Sequence, residues 1–213
     1  MGTMDMNAIT DDFTLTLADA IRVLTLGQAL SPATPGTLSK RTEDGLLLGE
    51  LRAEGEEAPY VIAVDGEGRG GNRLPADTAA LHIAVLWARP NAGGAALVRS
   101  PRLAAWGLAG RALPVRYFQM FGYTRAQQIP VADPDPAAVE AALAANPDAP
   151  ALLLTDGRTL IWTPQPARAA RLVLSLEEAA HVTALADQLG GARDYPAEAR
   201  EKIYLSLQAQ SRR

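Results

Sequence analysis

The spacing of hydrophobic positions predicts a helix followed by several short strands in the first part of the chain. Within residues 12–29, apolar side chains such as Phe13, Leu17 and Leu24 recur at helical intervals. The segments that follow are short, rich in apolar and β-branched residues, and separated by charged or glycine-containing turns. We therefore predict strands at 37–41, 45–51 and 60–64.

The remainder of the chain alternates between helical and extended patterns. Helices are predicted at 78–88, 101–108, 135–145, 166–189 and 196–208, and strands at 94–98, 151–154 and 159–162. Extended character is also predicted at 115–121 and 128–131. Strands joined by short turns must pair antiparallel, because a parallel crossover needs a dozen or more residues. The pattern therefore favours a mostly antiparallel sheet covered by helices.

Length and composition are typical of one globular domain that spans residues 1–213. The 213 residues are 48% hydrophobic and 21% charged, which leaves enough apolar surface for a substantial core. No apolar run approaches the roughly 18 residues of a membrane span, and the first residues lack the pattern of a signal peptide. We expect a cytoplasmic protein with no membrane partner. The net charge of −4 argues against a nucleic-acid partner, since phosphate binding requires clustered positive charge.

The counts of cysteine and histidine restrict the metal chemistry that this chain can support. There is no cysteine and there are only two histidines, so disulfides and thiolate ligands are excluded. A three-histidine zinc site cannot be built within one chain of this composition. We therefore expect neither a bound metal nor another cofactor.

Several short motifs follow one another in a fixed order along the chain. They are Gly36-Thr37-Leu38-Ser39, residues 74–82, Arg89-Pro90-Asn91, Leu97-Val98-Arg99-Ser100, Arg111-Ala112-Leu113-Pro114 and Leu153-Leu154-Thr155-Asp156-Gly157. This order resembles the class II aldolase/adducin family, with almost no gaps between Leu74 and Pro114. The resemblance implies a three-layer α/β/α fold with a central, mostly antiparallel sheet. It also implies a cyclic homotetramer with its sites between subunits.

The residues at the family's metal-binding positions differ from the family pattern. In the family, three histidines hold a divalent metal and a glutamate transfers the proton. The two ligands of its H-x-H motif fall on Leu97 and Arg99, the third falls on Asp156, and the glutamate falls on Thr78. Leucine cannot coordinate a metal, and arginine stays protonated and repels a cation. The resemblance therefore predicts a member that works without the family's metal.

The residues at the family's phosphate-binding positions have changed as well. Thr37 and Ser39 stand at the asparagine and serine of the family's G-N-x-S motif, and Asp77 replaces a serine. Glu50 falls in the loop that contacts phosphate in the family. Acidic side chains repel a phosphate directly. We therefore expect a substrate without a phosphate group, with Thr37, Ser39 and Thr78 among its polar contacts.

Arg99 and Asp156 allow two interpretations. In the first, Arg99 anchors a carboxylate or enolate of the substrate, and Asp156 acts as acid or base. In the second, the two side chains form an internal salt bridge that fills the space of the missing metal. Asp77 has two interpretations of the same kind. It either substitutes for the missing glutamate or caps the helix that follows it, and we favour the cap.

Three further residues are candidates for a role at the site. A tyrosine from a neighbouring subunit donates a proton in some family members, and Tyr117 or Phe118 occupies that region, with Arg116 beside it as a substrate contact. His82 has a counterpart in the family that looks structural, so we expect a buried histidine with satisfied hydrogen bonds.

Two functions follow from this pattern. The first is a lyase, decarboxylase, dehydratase or cyclase that acts on a small carbonyl or carboxylate compound at a cleft between subunits. The second is a non-catalytic member that serves as an oligomeric binding or assembly module, as in the adducin head domain. A fold alone does not decide between these two functions.

Overall fold

Helices and strands alternate along the residues that the computed structural model describes, which are 6–53, 61–65 and 76–211. The helices are α1 (Met6–Leu26), α2 (Ala76–Ala88), α3 (Pro101–Leu108), α4 (Pro136–Ala145), α5 (Ala169–Gln188) and α6 (Ala197–Ser211). The strands are β1 (Gly36–Arg41), β2 (Gly45–Leu51), β3 (Val61–Asp65), β4 (Gly94–Val98), β5 (Leu113–Pro114), β6 (Gln128–Ile129), β7 (Val131–Ala132), β8 (Ala151–Leu154) and β9 (Thr159–Thr163). Two 3₁₀ helices cover Phe118–Gly122 and Pro166–Arg168.

A seven-stranded sheet in the order β3-β2-β1-β4-β9-β8-β7 forms the centre of the fold. All of its neighbouring strands pair antiparallel except β7 and β8, which are parallel. The connection from β7 to β8 contains α4 and is long enough for a parallel crossover. The short strands β5 and β6 pair with each other outside this sheet. The prediction of a mostly antiparallel sheet is confirmed.

Helices cover both faces of the sheet, which confirms the three-layer α/β/α arrangement. On one face, helices α1, α3 and α5 bury residues such as Phe13 and Leu172 against Leu38 of β1. On the other face, α2 and α4 bury residues such as Leu81 against Leu97 of β4. Side chains alternate between the two faces of a strand, so the neighbours of Leu38 in β1 point towards α2.

Several predicted boundaries are wrong. Helix α1 covers Met6–Leu26 rather than 12–29. The segment predicted as extended at 115–121 contains the 3₁₀ helix Phe118–Gly122. Its consecutive residues Met120 and Phe121 are both buried, whereas an extended strand points successive side chains to opposite sides.

Two parts of the sequence prediction lie outside the described residues. One is the first residue of the predicted third strand, Tyr60, and the other is the start of the motif at 74–82. Within the described residues, none of the helices combines the length and apolar character needed to cross a bilayer.

Candidate active site

A cleft of about 230 Å³ opens at the end of the sheet where β1 begins and β2 and β4 end. Polar side chains from several distant segments of the chain line it. They include Thr37 of β1, Glu50 of β2, Thr78 of α2, Arg99 after β4 and Arg158 before β9. The start of helix α2 lies beside the cleft, so its backbone N–H groups add partial positive charge there.

The register of the sheet places three of the lining side chains in one row. Thr37 lies directly opposite Glu50 on β2 and directly opposite Leu97 on β4. Neighbouring strands are about 4.8 Å apart, so Glu50 and Leu97 stand about 10 Å apart on either side of Thr37. This row forms the sheet wall of the cleft, and Arg99 follows two residues after Leu97, just past the end of β4.

Arg99 enters the cleft without an acidic partner. Its Nε atom is buried and has no hydrogen-bond partner. No ion pair joins Arg99 to an acid anywhere in the described ranges 6–53, 61–65 and 76–211. The side chain passes over Gly157, where a Cβ atom would lie 2.9 Å from Arg99 Nη1. A side chain at position 157 would displace the end of the Arg99 side chain, and the positive φ of 86° at Gly157 also favours glycine.

Arg158 holds the two acids that the sequence proposed as catalytic. Its Nε donates to Asp156 Oδ2 at 2.6 Å, and its Nη1 donates to Asp77 Oδ2 at 3.0 Å. The backbone N–H of Arg158 also donates to Asp156 Oδ1 at 2.9 Å. The salt bridge between Arg99 and Asp156 that the sequence allowed is therefore not formed. Arg158 is only two residues after Asp156 in a tight turn, so its side chain reaches the Asp156 carboxylate more easily than Arg99 does.

Asp77 is not the cap of helix α2. The helix begins at Ala76, so Asp77 is its second residue and lies inside the first turn. A negative charge in the first turn interacts favourably with the helix dipole. The contact of Asp77 with Arg158 ties the start of α2 to the turn between β8 and β9. Sequence reasoning missed Arg158, although an arginine two residues after Asp156 in a predicted turn is a usable signal.

His82 lies beneath Thr37 as a fully buried and neutral ring. Its Nε2 is 2.8 Å from Thr37 Oγ1, and its Nδ1 is 2.8 Å from Ser39 Oγ. Burial disfavours the charged form and lowers the pKa of His82 to about 3. The prediction of a satisfied core histidine is confirmed. A neutral ring carries one N–H, so its tautomer decides whether Thr37 donates to the ring or presents its proton to the cleft.

Besides Asp77 and Asp156, which contact Arg158, three predicted site residues lie outside the lining of the cleft of their own chain. Ser39 is fully buried behind it, where it contacts His82 and the carbonyl oxygen of Ala95. Arg116 forms an exposed ion pair in which its Nε lies 2.7 Å from Asp194 Oδ1. Tyr117 hydrogen-bonds to Glu178, and this bond raises the pKa of the Tyr117 phenol above its ordinary value. The cleft is thus built from Thr37, Thr78 and Arg99 among the predicted contacts.

The residues of the cleft do not fit the divalent metal that the family pattern implies. At the positions that the resemblance assigns to metal ligands, the cleft has Leu97, which has no donor atom, and Arg99, which is a cation. The third position, Asp156, has both carboxylate oxygens occupied by Arg158. Among the described residues there is no group of three or more histidines, cysteines or acids with the geometry to hold a metal ion.

Comparison with known proteins gives one family and a consistent fold. The family model described as Class II Aldolase and Adducin N-terminal domain matches residues 16–184. An L-fuculose 1-phosphate aldolase is similar in structure, with a TM-score of 0.75, 18% identity, and 92% of this chain and 96% of that chain covered. No curated protein matches the sequence.

Two further solved structures show the same likeness. The L-fuculose 1-phosphate aldolase from Glaciozyma antarctica PI12 has a TM-score of 0.76 and 18% identity, with 97% of this chain and 86% of that chain covered. YgbL from Escherichia coli has a TM-score of 0.67 and 18% identity, with 90% of this chain and 98% of that chain covered. At this level of identity the likeness shows the fold.

Proposed function

Because the chain belongs to the class II aldolase and adducin family, we propose that it acts as a lyase-type enzyme on a small carbonyl or carboxylate compound, without the family's divalent metal. The observation that carries this proposal is the guanidinium of Arg99, which lines the cleft and has no ion-pair partner among the described residues. A planar guanidinium binds a carboxylate through two parallel hydrogen bonds. Arg99 is thus the anchor for the ligand's negative oxygen atoms.

The balance of charges around the cleft favours a ligand with a single negative charge. Arg158 is neutralised by Asp77 and Asp156, and Glu50 forms an ion pair with Arg52 at 2.8 Å. Arg99 is therefore the one cation in the cleft lining that has no direct ion-pair partner among the described residues. A carboxylate or an enolate matches this one charge, whereas a phosphate dianion would bring a second negative charge near Glu50, and we propose a carboxylate or an enolate.

The proposed chemistry assigns separate tasks to the lining residues. Arg99 stabilises the negative charge that develops on the substrate oxygen when a carbon–carbon or carbon–oxygen bond breaks. Thr37 and Thr78 supply hydroxyl groups that orient the substrate. Glu50 is the carboxylate in the row beside Thr37, and it accepts and returns the proton. Asp156 and Asp77 keep Arg158 at the cleft wall, and we assign them this supporting task.

A specific observation favours the alternative of a binding module without catalysis. Asp77 and Asp156, the two acids proposed as catalytic from the sequence, both form ion pairs with Arg158. His82 is buried and neutral. Among the described residues that line the cleft, Glu50 is then the only carboxylate that could transfer a proton. A protein that binds carboxylates but turns none over fits this arrangement.

We also propose the family's homotetramer, with a neighbouring subunit completing the cleft, in a cytoplasmic protein. Tyr117 is the residue that such a neighbour would bring to the site, because it does not reach the cleft of its own chain. Phe118 beside it is 50% exposed, as expected for a residue that packs against another subunit. Light scattering coupled to size-exclusion chromatography tests this assembly, and a monomer would contradict it.

Substitution of Arg99 tests the binding proposal. We expect Arg99→Met to weaken the binding of pyruvate, a small monocarboxylate with a carbonyl group, by at least tenfold, because a charge-assisted hydrogen bond contributes about 1.5–3 kcal/mol. Arg171→Met, which changes an exposed arginine on α5, is the matched control and should leave the affinity unchanged. Titration calorimetry measures both. Equal affinities of wild type and Arg99→Met would overturn the assignment of Arg99.

Turnover separates the enzyme from the binding module. Small 2-oxo and hydroxy carboxylates are incubated with the wild-type protein and with Glu50→Gln, and the products are followed by proton NMR. Loss of turnover in Glu50→Gln with binding retained supports the enzyme. Binding without turnover of any of these compounds in the wild type supports the binding module.

A further inference from the structure

Glu177 of helix α5 is a buried carboxylate that the proposed chemistry does not use. Its side chain is only 3% exposed. The atom Oε1 accepts hydrogen bonds from the hydroxyl of Ser100 and from the backbone N–H groups of Arg102 and Leu103, the latter two at 2.9 Å. A carboxylate in such a place costs several kcal/mol of desolvation unless donors compensate it. Here the donors all come from the start of helix α3.

Ser100 leaves its own helix uncapped. It occupies the N-cap position of α3, but its side chain makes no capping hydrogen bond. The Ser100 hydroxyl instead donates a hydrogen bond to Glu177. Glu177 also accepts hydrogen bonds from the backbone N–H groups of Arg102 and Leu103, which an N-cap side chain would normally accept. A residue from α5 therefore fixes the direction in which the chain leaves β4 and enters α3.

Arg99 lies immediately before this anchored segment, and its guanidinium lies close to the turn at Gly157 that α3 also approaches. The position that a Cβ atom of Gly157 would occupy is 2.9 Å from Arg99 Nη1, 3.3 Å from Leu108 Cγ and 3.5 Å from Ala104 Cβ. The Arg99 guanidinium and helix α3 thus both approach the same turn at Gly157. Because Arg99 has no ion-pair partner among the described residues, its position depends on its backbone and on this turn, against which α3 also packs.

We infer that Glu177 is the positioning residue that holds Arg99 in the cleft. Its hydrogen bonds fix the backbone that follows Arg99 and the start of the helix that approaches the turn at Gly157 together with the guanidinium. An arginine side chain has many rotamers, and only a fixed frame holds an unpaired one in a single orientation. The effect on ligand binding rests on the function proposed above, whereas the effect on the position of Arg99 does not.

The signal of the Arg99 Nε–H group in proton–nitrogen correlation spectra tests this inference. The signal is assigned by its disappearance in Arg99→Lys. In Glu177→Gln, which keeps the shape but removes the charge, we expect this signal to shift and its exchange with solvent to accelerate at least tenfold. We expect pyruvate affinity to fall about five- to tenfold. Glu140→Gln changes an exposed glutamate on α4 and should alter neither quantity.

The outcomes separate this inference from the proposed function. An unchanged Arg99 signal in folded Glu177→Gln would overturn the inference, whatever happens to the affinity. If wild-type protein binds no pyruvate, the proposed function fails, while the Arg99 signal still decides the role of Glu177. Should Glu177→Gln fail to fold, Ser100→Ala removes one donor from the same contact. A shift of the Arg99 signal in that variant supports the inference, and an unchanged signal overturns it.

Discussion

Arg99 brings a permanent positive charge to the lining of the cleft. The family resemblance assigns a metal ligand to this position. No acid among the described residues neutralises it directly, and its Nε is buried without a partner. Such an arrangement costs stability, so its presence is better explained by a ligand than by folding.

Gly157 tests how closely the position of Arg99 is determined. We expect Gly157→Ala to lose about 1 kcal/mol of unfolding free energy from its positive φ, and to weaken pyruvate binding because the new methyl displaces Arg99. Gly110→Ala is the control, since Gly110 has a φ of 63° but no atom within 4 Å of its Cβ position. Urea unfolding and titration calorimetry measure the two effects. Equal affinities in the two variants would contradict the predicted displacement.

Arg41, which lies outside helix α2, makes hydrogen bonds at the C-terminal end of that helix. The last carbonyl groups of a helix have no partner within it. Arg41 of β1 donates from Nη2 to one of these groups, Leu86 O. It also donates to two carbonyl groups in the turn that follows the helix, from Nη2 to Arg89 O at 3.0 Å and from Nε to Ala92 O at 2.9 Å. The sheet and the helix that carries Thr78 and His82 are thus joined at both ends, by Arg41 at one and by Arg158 at the other.

Removal of the Arg41 side chain tests the strength of this connection. We expect Arg41→Met to lower the free energy of unfolding by about 2–4 kcal/mol, because several carbonyl groups lose charged donors. Arg22→Met removes an exposed arginine that pairs with Asp19 and should cost less than about 1 kcal/mol. Chemical denaturation measures both values. Similar losses in the two variants would show that the Arg41 contacts add no more than a surface pair.

At the scale of the whole molecule, the layers bury His82 between the sheet and α2 in its neutral form. The ordinary pKa of histidine is 6.5, and burial lowers that of His82 to about 3. Between these values the unfolded chain binds a proton that the folded chain does not. The stability that His82 contributes is therefore complete above about pH 6.5 and decreases as the pH falls towards 3.

The pH dependence of unfolding measures this contribution. Between pH 7 and pH 5, wild type should lose about 2 kcal/mol more unfolding free energy than His82→Gln, since each unit of pKa difference corresponds to about 1.4 kcal/mol. His181→Gln removes the other histidine, which is exposed, and should keep the wild-type dependence. Denaturant titrations at the two pH values provide the comparison. If the unfolding free energy of His82→Gln depended on pH as that of the wild type does, the predicted effect of burying His82 would be contradicted.

Much of the fold could be predicted from local patterns. Short apolar segments between turns indicated β1, β2 and β4, and longer segments bounded by proline or glycine indicated α2, α4 and α5, because turns and helix ends carry their own residue preferences. The segment at 118–122 was mistaken for a strand because its two adjacent buried residues depend on packing against other elements. The predicted boundary of α2 was late, since a helix end is decided by its contacts as much as by its capping residue.

The sequence by itself determined the order of the elements and the loss of a metal-ligand set, because both depend only on residue identity at given positions. Only the tertiary structure decided which charges meet. Asp156 pairs with Arg158 and Asp77 joins the same arginine, whereas Arg99 lies near Gly157 with no ion-pair partner in the part of the chain that the structure describes. Residue identity restricts which charges can pair, whereas rotamers and strand register decide which of them come within reach.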